Sequence, residues 1–168
     1  MPSVGRFPYP NASDVPDGPG AFLAVANAAE TAPTCVLTDS TAQALATVAS
    51  AHTWNTEISD VQGMHAAGSS TVVAPLAGLY RVAYSVTGAT NSGTVDIFAY
   101  VAVNGVGLTR SRVGLIGAIQ YPTPAWSGLV ALAVGDLVTL MKSTTYAAGY
   151  STVAAQCSFS VEFARSFV

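Results

Sequence analysis

The chain has 168 residues, enough for one compact domain with an appended segment, and 51% of it is hydrophobic, so a core can form without metal or disulfide staples. Only 9% is charged, against about 25% for an ordinary soluble domain, and the net charge of −3 excludes the basic footprint that nucleic-acid binding needs. No apolar run approaches the roughly 18 residues of a membrane span, and the β-branched and aromatic content excludes a disordered chain.

Five of the nine prolines fall in the first 19 residues (Pro2, Pro8, Pro10, Pro16, Pro19). Proline lacks an amide hydrogen and fixes φ, so this stretch reads as an extended arm, not as a strand or helix interior. Its opening residues, MPSVGRFPYP, do not read as a secretory signal. The triplet Asn11-Ala12-Ser13 then matches the glycosylation pattern by chance. In residues 20 to 30, Phe22, Val25, Ala26 and Ala29 share one face at helical spacing, which predicts one short helix stopped before Pro33. Such a helix is too short to stand alone. It must dock on its own domain or on another protein.

From residue 34 the periodicity is that of strands. Thr34 to Thr38, Ala42 to Ser50, Thr53 to Ile58 and Ser70 to Ala74 are short candidates. Leu79 to Thr87 alternates, with Tyr80, Val82, Tyr84 and Val86 on one face. Thr94 to Val103 alternates too, and Asn104-Gly105 signals a hairpin into Val106 to Val113. Trp126 to Ala133 and Leu137 to Lys142 flank the tight Val134-Gly135-Asp136 turn. Thr152 to Phe167 closes the chain, with Cys157, Phe159, Val161, Phe163 and Arg165 on one face. Many short strands at about ten-residue spacing predict an all-β sandwich or barrel over residues 34 to 168, with residues 1 to 33 as arm and helix.

Cys35 and Cys157 lack CxxC spacing and read as buried free thiols; a bridge requires the first and last strands to be neighbours. No GxSxG, HExxH or Walker A pattern is present, so no enzyme, cofactor or metal is expected. Two sets of residues could be drawn as sites. Glu57, Asp60 and His65 suggest a metal or acid/base cluster, with a hydrogen-bonded turn as the plainer reading. Asp96 and Glu162 suggest a glycosidase-type pair, with arginine partners as the plainer reading. The aromatics Tyr121, Trp126, Tyr146 and Tyr150 lie in or beside loops, where they either hold a ligand or partner or plug the ends of the sandwich.

The order of several short motifs carries a resemblance. The run Ala67 to Val82, with Ala74-Pro75 and Gly78-Leu79-Tyr80, resembles the centre of the C1q/TNF-like jelly rolls. So do Val101 to Gly105 and the Gly135-Asp136 turn before Val138, and the likeness covers roughly residues 50 to 168. The chain departs from the animal members in lacking a Gly-X-Y stalk and an evident calcium cluster. The arm, with Tyr9-Pro10, Asp14-Val15-Pro16 and Phe22 to Glu30, resembles leaders of small virion proteins of tailed bacteriophages. That resemblance implies a homotrimeric jelly roll on the particle surface, assembled in the bacterial cytoplasm. It would be attached to capsid or tail proteins, as a decoration or minor tail protein, through Phe7, Tyr9, Pro10, Val15, Pro16, Phe22 and Leu23. The alternative is a receptor-binding tail-tip or fibre module that meets a bacterial surface glycan or protein. A third reading is a secreted C1q-like module. Scarcity of charge agrees with assembly, because surfaces that face identical subunits are depleted in charge.

Overall fold

The computed structural model describes residues 32–90, 96–115, 121–145 and 150–167. The arm residues, the short helix at 20 to 30 and Tyr146 lie outside the described residues.

Among the described residues, eleven strands follow in chain order: β1 (Thr34–Thr38), β2 (Ser50–Ala51), β3 (Thr56–Val61), β4 (Thr71–Val73), β5 (Gly78–Thr90), β6 (Ile97–Val103), β7 (Val106–Gly107), β8 (Val113–Leu115), β9 (Ala125–Leu132), β10 (Leu137–Thr144) and β11 (Tyr150–Arg165). They form two antiparallel sheets. The first runs β3-β1-β11-β5-β9; the second runs β2-β10-β6-β7, with β4 also on β10 and β8 also on β6. Alternation decides what each strand buries. The first sheet sends Cys35, Leu37, Tyr80, Val82, Val130 and Phe159 inward, and the second sends Ile97, Ala99, Val101, Val138 and Leu140 to meet them. Trp54 lies between the sheets, stacked on Phe159 at 5.7 Å between ring centroids.

Two turns take the conformations their residues favour. Asn104 and Gly105 both have positive φ (51° and 80°), as a two-residue hairpin with the twist of its strands requires. Gly135 sits at φ 84° between β9 and β10.

Two expected strands are absent as drawn. Between Ala42 and Ser50 only Leu45 is buried and Val48 is exposed. There Leu45 N donates to Tyr150 O of the first sheet, while Ala46 O accepts from Thr144 N of the second. A segment whose backbone serves both sheets straddles their open edge and cannot run as one strand. The return from Asn104-Gly105 is also broken, by a 3-10 turn at Thr109–Ser111. Ser111 Oγ accepts from Val101 N at 2.9 Å and donates to Leu108 O at 2.7 Å, replacing ladder bonds with side-chain ones.

β1 and β11, the first and last strands, are neighbours, yet both cysteines are free and buried. The register explains it: Cys35 faces Val161, four residues along β11 from Cys157.

Candidate functional site

Among the described residues, four buried ionisable side chains gather in a polar nest. Asp39 follows β1, His52 follows β2, Lys142 lies on β10 and Cys157 on β11, and all four are buried. Local structure aims each of them inward. Asp39 O accepts from Ala155 N at 2.8 Å, and Thr38 Oγ1 donates to Cys157 O at 2.9 Å. Ala155 has φ 59°, inside an irregularity that separates the Thr152 and Cys157 pairings of β11. His52 N donates to Leu140 O at 2.8 Å, holding the ring beside β10 and 4.2 Å from the Trp54 ring centroid.

His52 Nε2 is 3.0 Å from Asp39 Oδ2 and 3.1 Å from Gln43 Nε2. The Gln43 amide is oriented by Thr53: its Oε1 accepts from Thr53 N at 3.0 Å and its Nε2 donates to Thr53 O. Lys142 Nζ turns to Ala44 O at 3.4 Å. Asp39 Oδ1 and His52 Nδ1 are buried with no hydrogen-bond partner.

Burial sets the protonation of the nest. It pushes the Asp39 carboxyl up from the usual carboxylate range and the Cys157 thiol up to about 11. The His52 imidazole is driven down to about 3, by burial first and then by the charge of Lys142. The Lys142 ammonium is lowered by burial, against the pull of Cys157 and Asp39. Neutral side chains are what this interior favours.

A second feature faces outward from the six-stranded sheet. A cleft of about 440 Å³ is lined by Thr47, Tyr100, Gly107, Thr109, Arg112 and Ser143, among others. The Arg112 guanidinium lies 5.5 Å from the Phe98 ring centroid.

The residues singled out in the sequence are dispersed. Tyr121 is 54% exposed, whereas Trp126 and Tyr150 are half-buried and pack against the core. Trp126 sits 6.3 Å from Tyr84, its cross-strand partner. Glu57, Asp60 and His65 do come together, as a hydrogen-bonded turn. Asp60 accepts from Met64 N and His65 N, at 2.7 and 3.1 Å, and Glu57 Oε1 is 2.8 Å from His65 Nδ1. Asp96 accepts from Thr145 Oγ1 at 2.7 Å just before β6 of the second sheet, while Glu162 lies opposite Arg81 in the first. The two carboxylates do not form a pair.

The nest was not among the sequence candidates, although β10 carried a signal for it. Val138, Leu140 and Lys142 share one parity, so the only lysine in the chain takes a core position. His52 and Trp54 likewise share a parity.

No family model matches the chain, and no curated protein matches it. Solved structures do. The globular domain of zebrafish complement 1qA protein is 11% identical, with a TM-score of 0.55 over 80% of this chain and 99% of that one. Murine APRIL crystallised at pH 8.5 is 13% identical, with a TM-score of 0.56 over 79% of this chain and 98% of that one. A second murine APRIL structure, at pH 8.0, is 14% identical with a TM-score of 0.55. The fold is the C1q/TNF jelly roll. At these identities the likeness extends to architecture alone.

Proposed function

We propose that this chain is a non-enzymatic structural protein that assembles as a homotrimer through the outer face of its five-stranded sheet. One observation carries the reading. The register lines up Ser59, Val36, Ser160, Ala83 and Ser127 across all five strands, and Thr56, Thr38, Ser158, Ser85 and Ala125 in a second full row. Neither row contains a charge. The third row has its two charges, Glu162 and Arg81, directly opposite each other. A flat face of small neutral side chains costs little to desolvate and lets another sheet approach closely, as the cores of subunit interfaces do. Sedimentation of the purified chain tests this: a trimer is expected, and a stable single-copy species overturns it.

In the same reading the arm, residues 1 to 33, attaches the trimer to capsid or tail proteins of a bacteriophage particle, where the sandwich is displayed. Support comes from the resemblance of the leader and from avidity, since three arms on one trimer make the second and third contacts intramolecular. Deletion of residues 1 to 20 is the test. Loss of incorporation into particles is expected, and normal incorporation overturns the anchoring role.

The outward cleft favours receptor binding as a second reading, because an aromatic ring, an arginine and several hydroxyls line it. If that reading holds, Arg112→Ala lowers binding to host cells while leaving incorporation intact.

A further inference from the structure

We propose that Asp39, His52 and Cys157 form a buried binding site for a first-row divalent cation, of which Zn²⁺ is the best match. Each offers a ligand atom (a carboxylate oxygen, a ring nitrogen and Sγ), and these lie within 4.8 Å of one another. Around a tetrahedral zinc, donors bonded at about 2.0 to 2.3 Å stand roughly 3.3 to 3.6 Å apart. Asp39 and His52, 3.0 Å apart, need open only by a few tenths of an ångström, and Cys157 Sγ, within 4.8 Å of both, has to close by about 1.2 Å at most. The donor set is of borderline softness. One thiolate, one imidazole and one carboxylate suit zinc and cobalt and disfavour magnesium and calcium, which take oxygen.

A second observation points to a ligand. Asp39 is 0% exposed, yet Oδ1 of the carboxylate that faces His52 Nε2 has no partner; His52 Nδ1, also unpartnered, points away from that ligand atom and is not relieved by the ion. Unpaired polar atoms at such depth are costly. Lys142 does not relieve them: its ammonium is directed at Ala44 O, and among the described residues it makes no ion pair with Asp39. Cys157 Sγ is only loosely engaged, with Thr87 O at 3.9 Å and Val153 O at 3.8 Å.

Binding displaces two protons to solvent, the one on Cys157 Sγ and the one held between His52 Nε2 and Asp39 Oδ2, and forms sulfur–, nitrogen– and oxygen–metal bonds with no change of oxidation state. Thiolate and carboxylate together balance the 2+ charge, and His52 binds neutral. Lys142 opposes the incoming cation. Lys142→Met therefore tightens binding.

The test uses the full chain, stripped with chelator and titrated with Co²⁺, then with Zn²⁺. The expected result is one Co²⁺ per chain with a near-ultraviolet thiolate-to-cobalt band, bleached by Zn²⁺. The band disappears in Cys157→Ser and persists in Cys35→Ser, the other buried thiol. Should Cys157→Ser fail to fold by circular dichroism, Asp39→Asn and His52→Gln are read instead, each weakening Co²⁺ binding at least tenfold. No band in the parent protein overturns the site. So does equal Co²⁺ binding in folded Cys157→Ser, which would place the metal at other groups, such as the His65–Glu57 pair.

Discussion

Asn104 and Asp136 lock two turns together. Asn104 Nδ2 donates to Asp136 Oδ1 at 2.8 Å, and Asn104 Oδ1 accepts from Leu137 N at 2.9 Å. Asp136 Oδ2 also accepts from Ala133 N at 2.8 Å, closing its own turn. The β6–β7 hairpin is thus tied to the β9–β10 turn. Asn104→Ala is expected to cost about 1 to 2 kcal/mol, two hydrogen bonds' worth. On a domain of this size that is a fall of roughly 3 to 8 °C in melting temperature. An unchanged melting curve would show that water replaces the clamp without loss. The Asn104 side chain, and then the Ala133 amide, hold the Asp136 carboxyl below its usual range. Its contribution is therefore present above the ordinary carboxylate pKa and is lost as pH falls through the depressed one.

Both of those turns were legible in the sequence, because Asn-Gly and Gly-Asp encode backbone conformation locally. Their mutual clamp was not, because it joins residues 32 positions apart. The same contrast holds elsewhere. The inward register of β5, β6 and β11 could be read from alternation alone. The fate of Ala42 to Ser50 could not, since its alternation gives no sign that two different sheets compete for its backbone. The nest was hidden for a related reason. Asp39, His52, Lys142 and Cys157 come from four elements, and only the closing of one sheet over the other brings them together. Charge scarcity pointed to a neutral outer face, but the rows through Ser160 and Ser158 emerge only once five strands are in register.

His52 makes stability fall on acidification. Its pKa is about 3 in the fold and 6.5 when unfolded, so below pH 6.5 the unfolded chain takes up a proton that the folded one refuses. The contribution is complete above pH 6.5 and disappears toward pH 3, at up to about 1.4 kcal/mol per pH unit. Asp39, raised by burial, acts in the opposite sense, since the fold regains stability as that carboxyl takes its proton. Urea titrations of chelator-treated protein from pH 7 to 4 should show a steeper loss for the parent chain than for His52→Gln. Parallel curves would mean that the ring titrates normally in the fold.

Trp126 folds back over Gly128, where an added Cβ would overlap its ring. Gly128→Ala should therefore displace the indole toward solvent. The other tryptophan, Trp54, is fully buried, so a red shift in emission reports Trp126 alone. Overpacking of this kind costs about 1 to 3 kcal/mol. An unshifted spectrum with unchanged stability would show that the strand yields to the methyl group and that the ring is free to reorient.

A charge placed in the middle of the neutral face should separate the subunits. Ser160 is half-buried, lies between Val36 and Ala83, and has no counter-charge in its row. Ser160→Arg would bring three copies of a long cation into an interface, where desolvation without pairing is prohibitive. The variant should sediment as a monomer with unchanged circular dichroism, because the site faces away from the sandwich core. Ser127→Arg, at the edge strand of the same row, should be milder, since a rim side chain can reach water. Equal trimer content in parent and Ser160→Arg would move the interface to another surface, leaving the fold intact and the assembly reading without its face.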